Sequence, residues 1–287
     1  MCHPIARLVL LFGAIGIGSG CSKPESPSSV TSVRGPATRA EAKLVIAGSS
    51  TLAPLITEIG RRFQESHPGV QITVQAGGSG RGIKDARERQ ADIGMCSRAL
   101  TDAESDLVGF SIARDGICLL VHADNPVESL TDAQVSGIYT GVLTNWQQVG
   151  GADAPVFVIT RSEGRGEVEL FLHYFKIAKA DIRAQADVGD NPVGIESVSS
   201  NRNAVVYVSV GLSERSRKAG RSIRLLPTSG IEASSQKIRT GDYPLSRSLV
   251  LVTKGLPAGL AKDFINYCLS PQVTDLIRQQ DFVPYLD

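Results

Sequence analysis

Three segments of this chain join glycine and hydroxyl residues to the start of a helix-like pattern: 48–56 (GSSTLAPLI), 77–84 (GGSGRGIK) and 161–171 (RSEGRGEVELF). A helix N-terminus carries unpaired backbone N–H groups and the positive end of the macrodipole, which together attract anions. Glycine lets the backbone approach a ligand, and a Ser or Thr hydroxyl adds a donor. One such turn is an ordinary cap. Three of them, one carrying Arg161 and Arg165, predict a small oxyanion held where several helices converge.

The same residues are poorly suited to bond-making chemistry. Residues 78–84 lack the Gly-Lys-Ser/Thr ending of a P-loop, and Ser79 is not in a G-x-S-x-G elbow. Beyond His3, the histidines are His67, His122 and His173, each in a context that reads as structural or surface. There is no His pair at i, i+4, no Asp-rich calcium loop and no C-x-x-C spacing. The expectation is a binding protein rather than an enzyme, with no catalytic residues, no metal and no cofactor. The 30 Lys plus Arg against 29 Asp plus Glu give a net charge of +1, without the basic excess of a nucleic-acid partner.

The elements that must position these turns alternate strand and helix. Residues 43–47 read as a buried strand, followed by a helix with Leu52, Leu55, Ile56, Ile59 and Phe63 on one face. Residues 70–75 alternate as a strand, 81–90 form a polar helix, and 91–98 form a strand that delivers Ser97 and Arg98 into a loop. Thr101-x-x-Glu104 and Thr131-x-x-Gln134 are capping boxes. Strands at 116–122, 155–160 and 248–253 follow, with a terminal helix over 259–280. The pattern predicts an α/β fold of two lobes, with the ligand turns at one edge of the sheets. The chain is expected to cross between lobes near 122 and again near 245. This gives lobe 1 as 43–121 plus 246–287 and an inserted lobe 2 as 122–245.

Residues 8–18 (LVLLFGAIGIG) follow Arg7 and are too few to span a bilayer. They end in Gly18-Ser19-Gly20-Cys21, which resembles a bacterial lipoprotein signal with Cys21 as the lipidated first mature residue. The expectation is a signal peptide over 1–20, a Ser- and Pro-rich disordered tether over 21–42, export to the periplasm or cell surface, and membrane attachment by the lipid anchor alone. Cys96, Cys118 and Cys268 sit in mostly apolar surroundings and read as small buried side chains.

Segments 46–54 (IAGSSTLAP), 77–83 (GGSGRGI), 91–98 (ADIGMCSR), 124–126 (DNP), 138–151 (IYTGVLTNWQQVGG), 205–211 (VVYVSVG), 243–254 (YPLSRSLVLVTK) and 264–285 (FINYCLSPQVTDLIRQQDFVPY) resemble the substrate-binding lipoproteins of bacterial phosphate ABC transporters. The resemblance runs in order over 43–285. It implies a hinged, two-lobed periplasmic-binding-protein fold of type II, closing over inorganic phosphate and handing it to a membrane permease, as a monomer. Carried over by position, Ser50, Thr51, Ser79 and Ser97 become hydroxyl and N–H donors and Arg161 the main charge partner. Arg98 and Arg165 are further candidate contacts: Arg165 either adds a second cation or points to solvent while Gly166 and its neighbours supply backbone N–H.

Two departures matter. Many relatives have Gly-Ser-Gly-Thr where this chain has Gly164-Arg165-Gly166-Glu167. Ser97 stands where well-known members place the carboxylate that accepts the phosphate proton. Asp92, Glu163 and Glu167 are the candidate replacements. Other oxyanions (sulfate, molybdate, a phosphonate) and a phosphate sensor without transport are the alternatives.

Overall fold

The computed structural model describes residues 42–285; the expected signal, Cys21 and most of the tether lie outside them. The chain opens with β1 (Ala42–Gly48), α1 (Ala53–Ser66), β2 (Val70–Ala76), α2 (Ser79–Arg87) and β3 (Ile93–Cys96). The expected apolar stripe of α1 is its buried face, comprising Leu55, Ile56, Ile59 and Phe63, with Leu52 buried at its N-cap. β1 pairs in parallel with both β2 and β3, so α1 and α2 are crossover helices and all three strands point the same way.

A second unit repeats this design. After the long β4 (Val108–His122) and α3 (Asp132–Tyr139) come β5 (Phe157–Arg161), α4 (Gly166–Phe175), β6 (Ala186–Val188), α5 (Asn191–Ser199) and β7 (Ala204–Ser209). β5 pairs in parallel with β6 and β7. The chain continues through α6 (Val210–Lys218), β8 (Ile223–Leu226), α7 (Ser235–Thr240), β9 (Ser246–Thr253), α8 (Gly259–Cys268), α9 (Thr274–Gln279) and β10 (Val283–Pro284). The strand order is β2-β1-β3-β9-β4-β7-β5-β6, with β8 and β10 also on β4.

β4 links the two units. Its Val108–Gly116 stretch runs antiparallel to β9, and Ile117–Val121 runs antiparallel to β7. The two larger of the three apolar clusters among the described residues divide at the same place. One includes Ile46, Ile59, Met95, Ala113, Leu251 and Phe264; the other runs from Ile117 through Trp146, Phe171 and Tyr207 to Leu245. The change of pairing partner thus falls at Gly116–Ile117 within β4. A single 15-residue strand serves both cores, so hydrophobicity carries no mark where it passes from one to the other.

The expected terminal helix over 259–280 is two helices, α8 and α9, separated by a 3₁₀ turn at Pro271–Val273. Pro271 cannot donate its backbone nitrogen, and the Ser270 side chain caps the new start by accepting from Gln272 N at 3.3 Å. Cys96, Cys118 and Cys268 are buried free thiols, and burial pushes the Cys118 thiol up to about 12.

Candidate functional site

The parallel triplets β1/β2/β3 and β5/β6/β7 turn their carboxyl ends toward one another, so the turns leaving them meet. In open α/β sheets this is where ligands bind, because helix N-termini begin there. β1 leads through Ser49, Ser50 and Thr51 into α1; Gly77 and Gly78 lead into α2; Arg161 to Arg165 lead into α4. Gly48, at the end of β1, has φ +134°, and a Cβ there would stand 2.3 Å from Met95 O. The first turn therefore depends on glycine to lie against β3.

Ser79, Ser97 and Thr51 are each 2% exposed or less. Ser97 N donates to Ser79 Oγ at 3.0 Å, and the two hydroxyls are 3.2 Å apart. Gly166 of α4 packs onto this pair, since a Cβ on it would fall 2.7 Å from Ser97 Oγ and 3.0 Å from Ser79 Oγ. Gly80 N donates to Gly164 O at 2.9 Å, and Arg165 Nη1 donates to Ser50 Oγ at 3.3 Å and to Asp190 Oδ1 at 2.6 Å. The two units thus touch through residues read from the sequence as ligand donors.

Arg161 ends β5 and is 3% exposed. Its position is fixed from behind. Arg161 N donates to Tyr207 OH at 3.3 Å, and the Tyr207 ring stacks on Phe171 of α4 with centroids 3.9 Å apart. Nη1 donates to Asn191 Oδ1 and Nη2 to Gly189 O, both at 3.0 Å, while Nε is buried without a partner among the described residues. A buried guanidinium N–H left unpaired is a donor aimed at nothing in the protein.

At the centre stands a four-membered charge cluster. Arg247 of β9 donates from Nη2 to Asp115 Oδ2 at 2.8 Å, to Glu167 Oε1 at 3.2 Å and to Thr51 Oγ1 at 3.3 Å, and from Nη1 to Ser97 Oγ at 3.1 Å. Glu167 Oε1 also accepts from Thr51 Oγ1 at 2.9 Å and Asn191 Nδ2 at 3.0 Å. Burial pushes the Glu167 carboxyl up, but Arg247 and then Arg161 outweigh it, so the group is held well below the ordinary carboxylate range. Burial, with smaller pushes from Arg247 and Arg165, pulls Arg161 down, while Glu167 and Tyr207 oppose.

Ser50, Thr51, Ser79, Ser97, Arg161, Arg165 and Gly166 are therefore brought together. Arg98 reaches the rim, where its guanidinium pairs with Glu104 at 2.7 Å and with Glu169 of α4. Of the three candidate proton acceptors, Asp92 accepts from Val45 N beside β1, and Glu163 is exposed and paired with Lys179. Glu167 lies among the donors. Sequence reasoning missed Asn191, Arg247 and Asp115. Asn191 had a legible signal: Gly189-Asp190-Asn191-Pro192 is a fourth strand-to-helix turn, with Pro at the start of α5.

Residues 33–272 match the family model described as a PBP superfamily domain. The phosphate-binding protein PstS of Bacillus subtilis is 27% identical over 289 residues, covering 98% of this chain and 93% of that protein. A phosphate ABC transporter substrate-binding protein of Clostridium perfringens, solved with bound phosphate, is 30% identical with a TM-score of 0.78, covering 84% of this chain and 99% of that one. An ABC-type phosphate transport receptor of Vibrio cholerae is 29% identical with a TM-score of 0.71, covering 85% of this chain and 100% of its own.

Proposed function

The chain belongs to the PBP superfamily, and from that premise we propose that it is a solute-binding protein that captures inorganic phosphate between two lobes and delivers it to an ABC permease. The observation that carries this is the convergence of Arg161, Arg247, Asn191, Thr51, Ser79 and Ser97 from both parallel triplets and the β9 hinge strand on one buried point. Guanidiniums, an amide, hydroxyls and helix N-termini are the donor set for a tetrahedral oxyanion. The unpartnered Arg161 Nε is a further donor in reserve. The relatives named for phosphate support the choice of anion.

In this reading β4 and β9 form the hinge, and closure brings the donors of the two lobes within reach of one ion. Ser50, Thr51, Ser79, Ser97, Arg161, Arg165 and Gly166 line the closed site, joined by Asn191 and Arg247. Arg98 acts at the rim, where Glu104 steadies it within its own lobe and its ion pair with Glu169 ties the lobes together. No covalent step is needed, which fits a site rich in donors. Export with a lipid at Cys21, and action as a monomer, complete the proposal. Among the described residues no helix is long and apolar enough to cross a membrane.

The test is a thermal-shift panel of phosphate, sulfate, molybdate and a phosphonate against the purified protein. Phosphate is expected to raise the melting temperature most. Stabilisation by sulfate without stabilisation by phosphate would reassign the ligand.

A further inference from the structure

Glu167 does not sit beside the donor set; it occupies it. Its Oε1 accepts from Thr51 Oγ1, Asn191 Nδ2 and Arg247 Nη2 at 2.9, 3.0 and 3.2 Å. These donors come from the start of α1, the start of α5 and the hinge strand β9. A ligand oxygen placed to use them would stand where this carboxylate oxygen stands. Resting on the phosphate reading, we propose that Glu167 is a tethered carboxylate that holds the oxyanion position and exchanges with the ligand, which enters as a monoanion.

Charge balance supports exchange over coexistence. The buried charged groups that face one another here are Arg161 and Arg247 against Asp115 and Glu167, each 6% exposed or less. They sum to zero, and the nearby Arg165 is paired with Asp190 at the edge. Adding a phosphate while Glu167 stays would leave a net buried negative charge beside a carboxylate already held ionised, an arrangement that like-charge repulsion and desolvation both oppose. Replacing Glu167 by a singly charged phosphate leaves the sum unchanged.

Asp115 is not the exchangeable partner. It takes Arg247 Nε and Nη2 at 3.3 and 2.8 Å and Gly211 N at 3.2 Å, all within the scaffold of β4, β9 and α6. Glu167, by contrast, lies in the first turn of α4 and holds Thr51 across the cleft, so its release accompanies parting of the lobes. The side chain thereby sets both affinity and the ligand charge that fits.

The test compares the wild type with Glu167→Thr and the isosteric Glu167→Gln, using titration calorimetry with inorganic phosphate and melting curves with and without it. Exchange predicts that both variants melt lower without phosphate and gain more from it. It also predicts a phosphate dissociation constant at least about tenfold tighter for Glu167→Thr. Wild-type affinity is expected to fall as pH rises through the second ionisation of phosphate. If Glu167→Thr does not fold, Glu167→Gln carries the comparison. A wild type that binds phosphate while both folded variants bind it more weakly would overturn the exchange alone. Failure of wild type and variants alike to bind phosphate would overturn the phosphate reading and the exchange with it.

Discussion

Thr51 Oγ1 and Glu167 Oε1 meet at 2.9 Å although 116 positions separate them. Thr51 opens α1 in one lobe and Glu167 lies in the first turn of α4 in the other, so the bond spans the cleft. The first glycine-hydroxyl turn and the third therefore serve one site. A hydroxyl and a carboxylate buried together survive because the Arg247 guanidinium and the Asn191 amide each donate to both of them.

Arg161 is expected to carry much of the ligand's charge. Arg161→Ala should weaken phosphate binding by about 2–5 kcal/mol, the range for truncating one side of a desolvated charge pair. Its contacts to Asn191 and Gly189 would also be lost. Near wild-type affinity by titration calorimetry would remove Arg161 from the site.

Gly166 is expected to govern how closely the lobes approach. A Cβ there meets Ser97 Oγ at 2.7 Å and Ser97 O at 2.9 Å. Gly166→Ala should hold the lobes apart and weaken phosphate binding by about 1–3 kcal/mol, the usual range for overpacking. Small-angle scattering should show less compaction on adding phosphate than in the wild type. Equal compaction and affinity would show that Ser97 yields at no cost.

Much of this site was legible because its turns are local. Gly-Ser-Ser-Thr, Gly-Gly-Ser-Gly and Arg161 at a strand end each announce a helix start within a few residues, and the helix stripe of Leu55, Ile56, Ile59 and Phe63 fixes what lies beneath. Arg247 was not legible as a site residue. It sits in an alternating strand, and its role depends on Asp115, 132 positions away, and Glu167, 80 positions away. Arg98 shows the converse: a cation next to a predicted ligand, whose guanidinium is taken up by Glu104 and Glu169, partners that local sequence does not rank. The split of 259–280 into two helices could have been read from Pro271.

Arg98 and Glu169 join the lobes at the rim, where the Glu169 side chain is 54% exposed. Solvent screening keeps such a pair to roughly 0–1 kcal/mol. Glu169→Gln should therefore change phosphate affinity by no more than a few-fold, mainly through faster release. Stopped-flow dissociation would reveal it, and an unchanged release rate would mean that the pair does not hold the closed form.

Acid should destabilise the protein through Glu104. The hydrogen bonds from Arg98, with further help from Thr101, lower its carboxyl from the ordinary 4.5 to about 2. A carboxylate held below its unfolded value contributes stability that is fully present above 4.5 and is lost as pH falls toward 2. Denaturant melts between pH 7 and pH 2.5 should show this loss, and Glu104→Gln should flatten part of it. A slope unchanged in that variant would assign acid sensitivity elsewhere.

In the proposed closed form, donors from both lobes surround one phosphate. Titration calorimetry of inorganic phosphate into the purified protein, repeated with sulfate in excess, tests it most directly. One phosphate per chain is expected, with binding retained in sulfate and sharply reduced in Arg161→Ala. Absence of phosphate binding, or binding indifferent to Arg161, would contradict it.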